Sequence, residues 1–133
     1  MKFFTLMKDG GPESHVWGYW LVEIKGLCSI VLLRFEDGTR EAYHSHAFNA
    51  VSWLLRGTLH ESVLDWSPTP GIIYRPSWCP IWTPRSRTHK VRSIGRSWVL
   101  SFRGPWADTW LEYDPKLERT TTLAHGRNVV GAA

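Results

Sequence analysis

Two histidines separated by one residue, His44 and His46, are the side chains of this 133-residue chain best suited to metal chemistry. They lie in segment 39–48, whose alternating character predicts a β-strand. Because residues at positions i and i+2 of a strand point to the same face, both imidazoles would project into one space. Neutral imidazole is the commonest ligand for transition metals in proteins, and two on one face can chelate one ion. Taken alone, such a pair more often marks two partly exposed strand histidines.

The spacing around this pair is more informative than the pair itself. Five residues separate Gly38 from His44, and ten separate His46 from Gly57. Further along the chain, a proline stands five positions before His89. These intervals resemble the two sequence motifs of the cupin superfamily. The resemblance implies an all-β fold: a single-domain antiparallel β-barrel of the double-stranded β-helix or jelly-roll type.

The resemblance also implies a metal site made of His44, His46 and His89. Where cupins contribute a glutamate to such a site, this chain has Ala50 or Val51. The remaining set is similar to the site of thiol-dioxygenase-like cupins, in which a facial triad of histidines holds Fe(II). A facial site of three ligands leaves coordination positions open for oxygen and substrate. Fe(II) is therefore the favoured divalent metal ion, with Zn, Mn and Ni as alternatives.

The elements that must position these histidines are short extended segments broken by turn residues. We count about eight of them and no convincing long helix, a pattern typical of an antiparallel barrel or sandwich. The length suits one domain, residues 1–133, with a core barrel at about 14–113. Prolines and a glycine predict a loop at 67–71. Segment 105–113 is ambiguous and admits a short helical turn, and a partly flexible tail is expected at about 114–133.

Strand phase and aromatic content suggest what surrounds the histidines. Arg40 and Phe48 share the histidines' face, with Arg40 expected near the mouth of the barrel. Trp53, in the next apolar strand, is a candidate for substrate contact, although core packing is the simpler role. Trp78 and Trp82 lie in the proline-rich approach to the third histidine, where they are candidates for an aromatic wall of a substrate pocket. Closing the end of a small barrel is an equally good role for both.

Arginines near the third histidine are candidates for binding an acidic substrate, because a guanidinium fork suits carboxylate or phosphate. Arg87 is the leading anchor if it faces the barrel interior, and Arg85 is a second substrate-binding candidate. A solvated or salt-bridged edge is the alternative for both. Tyr74 is the favoured catalytic tyrosine, since alternation turns Tyr43 outward. Among the other histidines, His60 is the best candidate for supporting the metal site.

Charge is distributed unevenly along the chain. The net charge is +4, yet no carboxylate occurs between Asp65 and Asp108, where seven basic residues lie around His89. This excess predicts that a small anionic molecule approaches the histidines. Basic residues interleaved with tryptophan also suit single-stranded nucleic acid, which is a possible partner but not the favoured one.

Three hypotheses for function follow. The first is a metal-dependent oxygenase, most plausibly a dioxygenase, acting on a small anionic or thiol metabolite. The second is a cupin isomerase or epimerase acting on a sugar, which needs an inward-facing base. Glu41 and Glu61 are the nearest candidates for that base, and Glu41 is expected to point outward. The third is a non-catalytic protein that binds a ligand, a nucleic acid or another protein.

Composition narrows the class and the compartment. An apolar content of 43% is globular rather than disordered, and the longest apolar stretch, 27–33, is too short to span a membrane. Cys28 and Cys79 form no disulfide framework, and no signal-peptide core is evident, so the cytoplasm is expected. By resemblance to cupins we also expect a homodimer. The chain is similar as well to small cupins encoded by tailed bacteriophages, which would place it in the host cytoplasm.

Overall fold

The structure is a computed structural model that describes residues 1–38, 42–64 and 71–133. Within these ranges the regular structure consists of thirteen β-strands and one 3-10 helix, His125–Arg127. The strands are β1 (Lys2–Lys8), β2 (Val16–Ile24), β3 (Cys28–Phe35), β4 (Tyr43–His44), β5 (Ala50–Arg56), β6 (Leu59–Val63), β7 (Ile72–Tyr74), β8 (Ile81–Thr83), β9 (His89–Ser93), β10 (Ser97–Arg103), β11 (Thr109–Asp114), β12 (Arg119–Ala124) and β13 (Asn128–Ala132). The prediction of an all-β fold is confirmed.

The strands form two sheets in which the neighbouring strands are antiparallel. The first sheet has the order β1-β2-β3-β10-β5-β8, and the second has the order β13-β12-β11-β4-β9-β6-β7. Between β3 and β11 the chain crosses repeatedly from one sheet to the other. This alternation is the topology of a jelly roll and matches the predicted barrel.

The hydrophobic core lies between the sheets and follows from strand alternation. In β3, Val31 and Leu33 point inward and are 0% and 6% exposed. Burying a side chain of this size contributes about 1.5–3 kcal/mol. The other buried members of this cluster come from β2, β5, β6 and β10, and they are Trp20, Leu54, Leu59 and Val99. Both sheets therefore contribute to one core.

Strand β5 shows that part of the interior is cavity rather than packed core. Its inward face carries Ala50, Ser52 and Leu54, and the Ser52 hydroxyl donates to Oγ of Ser101 at 3.0 Å. The larger Trp53 points to the outer side of the sheet, where its ring lies 5.6 Å from that of Phe102. Small and polar side chains thus face inward because the interior must leave space beside the histidines.

Several elements differ from the sequence-based expectation. Among the described residues of segment 39–48, which are 42–48, only the two residues of β4 are strand. Segment 105–113 has no helical turn and instead leads into strand β11. Within the tail predicted at about 114–133, residues 119–124 and 128–132 form strands β12 and β13 at the edge of the second sheet. Strand β1 was not expected either.

Some predicted features lie outside the described residues. These are Arg40, Glu41 and residues 67–70 of the predicted loop. Within the described part of the chain, no helix is long and apolar enough to cross a lipid bilayer.

Candidate metal centre

The central strands of the second sheet bring the histidines together. Strand β4 lies between β11 and β9, and His44 pairs directly with His89, the first residue of β9. Beyond β4, Ser45 holds the chain against β11: its amide donates to the Leu111 carbonyl, and its Oγ accepts from the Leu111 amide, both at 2.9 Å. This pair of hydrogen bonds fixes the backbone that carries His46.

The three imidazoles surround one point. The ring centroids of His44 and His46 are 4.9 Å apart, and each lies 5.1 Å from that of His89. One ring nitrogen from each residue lies within 4.8 Å of the other two, and the Nε2 atoms of His46 and His89 are 2.9 Å apart. Two imidazole nitrogens bound at right angles to one metal, each at about 2.1 Å, would be about 3.0 Å apart. The predicted residues therefore converge as metal ligands would.

Glu61, on the neighbouring strand β6, orients His89. Its carboxylate is buried, and Nδ1 of His89 donates to its Oε2 at 2.5 Å. With its proton on Nδ1, a neutral His89 ring would present its lone pair at Nε2, the atom that faces His46. A carboxylate in this position fixes the tautomer of a metal-binding histidine and raises its basicity. The donor chemistry of the cluster therefore fits a divalent transition metal.

Two further groups hold the Glu61 carboxylate. The Tyr74 hydroxyl donates to its Oε1 at 3.2 Å, and Nη1 of Arg87 lies 3.6 Å from the same oxygen. Burial alone would raise the pKa of the Glu61 carboxyl, but the hydrogen bond and charge of His89, the charge of Arg87 and the Tyr74 hydrogen bond together lower it. Burial, with the charge and hydrogen bond of Glu61, raises the pKa of Tyr74. The carboxylate thus stays ionised and the phenol stays protonated.

The histidines open into a cavity of about 490 Å³, a size typical of small-molecule sites. Phe48 stacks on His46 with 5.1 Å between ring centroids. On Phe48 lies the guanidinium of Arg103, whose Cζ is 4.6 Å from the ring centroid. Arg103 is buried, and its Nη2 lies 2.6 Å from Oδ2 of Asp9. One aromatic ring therefore separates His46 from a buried guanidinium.

The predicted substrate-binding tryptophans and Arg85 are not in this cavity, whereas Tyr74 is. Register explains the position of Trp82: it pairs with an outward residue of β5, so it lies on the outer side of the sheet and is 54% exposed. Trp78 is 96% exposed, and its carbonyl accepts a hydrogen bond from Nε1 of Trp53 at 3.2 Å. These tryptophans form an outer surface group instead of an aromatic pocket wall.

Arg87 lies behind His89 and does not line the cavity. Its amide donates to the Pro84 carbonyl at 3.0 Å, which places it in a turn before β9. Its Nη1 donates to the Trp82 carbonyl at 3.1 Å and is also the atom near Glu61. Arg87 therefore supports the carboxylate that orients His89, and the arginines that line the cavity are Arg103 and Arg127 instead.

Sequence reasoning missed Arg103, and it named Glu61 as a candidate base rather than as a support for the metal ligands. Glu61, not the adjacent His60, supports the metal ligands, because alternation in β6 turns these neighbours to opposite faces and buries Glu61. Arg103 ends a run in β10 in which every second residue is buried: Ser97, Val99, Ser101 and Arg103. The sequence alone would not have found Arg103, because the large apolar residues of β10, Trp98, Leu100 and Phe102, lie on the opposite face from it.

Comparison with known proteins shows the fold. No family model matches the sequence, and neither does any curated protein. An RmlC-like cupin from Shewanella frigidimarina NCIMB 400 superimposes with a TM-score of 0.57 at 16% identity, covering 77% of this chain and 84% of its own. A cupin-superfamily sugar phosphate isomerase from Silicibacter pomeroyi DSS-3 gives 0.58 at 12% identity, covering 90% and 74%. Fe(II) HppE in complex with its substrate gives 0.59 at 13% identity, covering 74% of this chain and 55% of HppE.

Identities this low show a shared fold and nothing about activity. Of these three names, that of the sugar phosphate isomerase gives an activity, and that of the RmlC-like cupin gives none. The function must therefore be argued from the histidines, the carboxylate behind them and the cavity in front.

Proposed function

We propose that this chain, which has the cupin fold, is a metal-dependent oxygenase of the dioxygenase type that acts on a small anionic or thiol-bearing molecule. The observation that supports it is the convergence of three imidazoles, with no carboxylate in the cluster within the described ranges. Three neutral ligands leave the charge of a dication uncompensated and leave coordination positions open. Such a centre favours an anionic ligand such as a thiolate or carboxylate.

Some residues of the chain would bind the ion directly, and others hold those ligands in position. His44, His46 and His89 would bind it, with Fe(II) favoured and Zn, Mn or Ni as alternatives. When bound, the ion would supply Lewis acidity and, for iron, one-electron chemistry with oxygen. Glu61 keeps the proton of His89 on Nδ1, and Tyr74 keeps Glu61 in place. Tyr74 acts as a positioning residue because its hydroxyl is engaged with the carboxylate.

The surroundings suit an anionic substrate of modest size. Basic residues outnumber acidic ones in the cavity wall: Lys2, Lys8, Lys25, Lys90, Arg103 and Arg127 against Asp9, Glu23 and Glu61. The two arginines are already paired, since Arg103 binds Asp9 and Arg127 binds Glu112, and the four lysines then outnumber Glu23 and Glu61. The remaining excess attracts anions into the cavity.

A second candidate is a sugar isomerase or epimerase. It needs a base inside the barrel, and Glu23 is a buried carboxylate in the cavity wall, 6% exposed. A solved protein of the same fold is named as a sugar phosphate isomerase, so the fold is compatible with this chemistry. Glu61 is a poorer base for this reaction, because its two oxygens are engaged by His89 and Tyr74.

Metal uptake tests the shared premise of both candidates. Protein purified with chelator should regain about one equivalent of Fe(II), Zn, Mn or Ni per chain under anaerobic conditions, measured by elemental analysis after gel filtration. The His46→Ala variant, which lacks one ligand, serves as the matched control. Wild-type protein that takes up none of the four ions would overturn the proposal.

Oxygen consumption separates the two reactions. The Fe(II)-loaded protein is offered a panel of thiol acids such as 3-mercaptopropionate, and separately a panel of sugar phosphates. Oxygen uptake coupled to loss of thiol supports the oxygenase. Sugar interconversion without oxygen uptake supports the isomerase and contradicts the oxygenase. Metal uptake with neither reaction on these panels would favour a non-catalytic binding role.

A further inference from the structure

Three buried N–H groups in the cavity wall have no hydrogen-bond acceptor in the part of the chain that the structure describes. They are Nε of Arg103, Nε1 of Trp20 and Nε1 of Trp106. Arg103 and Trp20 are each only 4% exposed. Buried donors in folded proteins are nearly always paired, with protein, with water or with a ligand. Three unpaired donors along one cavity therefore call for an external acceptor.

The three donors belong to one region of the cavity. The Cζ atom of Arg103 lies 4.6 Å from the ring centroid of Phe48 and 5.9 Å from that of Trp20. The Trp106 ring packs on Phe48 with 5.4 Å between centroids. Phe48 also stacks on His46, so the donors lie one aromatic ring away from the histidines.

Asp9 determines which part of Arg103 is available. The Asp9 carboxylate accepts hydrogen bonds from Nη2 of Arg103 at 2.6 Å and from its Nη1 at 3.5 Å. Nε of Arg103 is left as the donor without a partner among the described residues. Because Asp9 neutralises the guanidinium, added positive charge must come from elsewhere. Lys25 supplies it, since its Nζ lies 4.8 Å from the centroid of the Trp106 ring.

We propose that Arg103, Trp20 and Trp106 form an oxyanion site that accepts the carboxylate or phosphate group of the cavity's ligand. A carboxylate or phosphate offers several acceptor oxygens, which suits donors that approach from different walls. The inference deepens the proposed function: the substrate would carry its reacting group at the histidines and its acidic group beyond Phe48. The oxyanion site itself stands on the donors and does not require a bound metal.

One acidic side chain opposes this assignment and provides a further test of it. Glu23 lines the same cavity, and strand register places it beside Ser29, which in turn pairs with Arg103. No ion pair of 4 Å or less joins Glu23 to Arg103 among the described contacts. Its carboxylate adds repulsion to a bound anion, so the Glu23→Gln variant should bind anions about threefold more tightly.

The test follows the indole N–H signals of ¹⁵N-labelled protein during titration with inorganic phosphate and, separately, with acetate. In wild-type protein the signals of Trp20 and Trp106, assigned through phenylalanine variants, should shift saturably with at least one of the two anions. The Arg103→Gln variant should bind that anion at least about tenfold more weakly. The Trp106→Phe variant keeps the ring and loses one neutral donor, so a loss of about threefold is expected.

The matched control is Arg85→Gln, which removes the same charge from an exposed residue outside the cavity and should bind the anion as wild type does. Binding of phosphate alone assigns a phosphoryl ligand, and binding of acetate alone assigns a carboxylate. Equal affinity in wild type and Arg103→Gln overturns the proposal; if Arg103→Gln does not fold, equal affinity in Trp106→Phe does so. The His44→Ala variant should lose metal and keep anion binding, so the failure of one site is visible separately from failure of the other.

Discussion

At the histidine end of the cavity the buried carboxylate of Glu61 is held by three neighbours, His89, Tyr74 and Arg87. At the opposite side of Phe48, three buried donors lack an acceptor within the described ranges. Both regions are buried and polar, and both lie in one cavity. They differ in that the Glu61 carboxylate has its hydrogen-bond partners within the chain and the three donors do not.

The chain itself supplies the hydrogen-bond partners of Glu61, whereas a bound ligand must supply the acceptors for the three donors. A metal ligand works only if its tautomer is set beforehand, so the Glu61 network is complete without any bound molecule. A substrate site gains affinity from the opposite arrangement, because donors left unpaired by the protein are paired on binding. The histidine end therefore suits a resident cation, and the Arg103 end suits a ligand that comes and goes.

The largest effect is expected when a metal ligand is removed, and this change tests whether the histidine end binds a cation. The His89→Ala variant should lose metal affinity by more than about 100-fold, because it removes one of three ligands together with the residue that Glu61 orients. Competition with a chromophoric chelator measures the affinity. The control is His60→Ala, which removes a histidine from the opposite face of β6 and should retain the metal. Unchanged affinity in His89→Ala would refute the metal site.

A smaller effect is expected when the supporting carboxylate is neutralised and its shape is kept. The Glu61→Gln variant should bind metal about 10–100-fold more weakly, since an amide is a weaker acceptor for Nδ1 of His89 and supplies no negative charge. Phosphate binding at the Arg103 end should be unchanged. Circular dichroism provides the check on folding. If metal affinity stays within twofold of wild type in the folded variant, Glu61 is not the residue that fixes the tautomer and orientation of His89.

The site was predictable from sequence where its residues follow local rules. His44, His46 and His89 were identified from motif intervals along the chain, and the structure brings them together. Glu61 was named from the sequence as a candidate base, but its role beside His89 depends on β6 pairing with β9, and sequence spacing does not give that register. Arg87 was misplaced because β9 begins at His89, so strand alternation does not extend back to it.

The strands, like the site residues, were predictable from sequence only where local patterns are clear. Strands rich in apolar residues, such as β3 and β10, are among the extended segments that the sequence predicts. Strands β1 and β13 lie at sheet edges and bury little, so their sequences lack the alternation that burial imposes. In strand β5 the sequence suggests that the large Trp53 faces inward. The structure places it outward, since the inner face of β5 borders the cavity.

The smallest effect should come from the outer tryptophans, and it tests the boundary of both sites. Replacing Trp78 and Trp82 together by alanine should change metal and phosphate affinity by less than about twofold, because both side chains are exposed and lie outside the cavity. The same chelator competition and ¹⁵N titration measure this, with Trp106→Phe as the matched tryptophan inside the cavity. A tenfold loss of either affinity would contradict this placement and support the aromatic pocket wall that their sequence position predicted. Salt-dependent retention on single-stranded DNA that is lost in the double variant would instead assign the outer face to nucleic acid, since stacking aromatics beside arginines provide that binding.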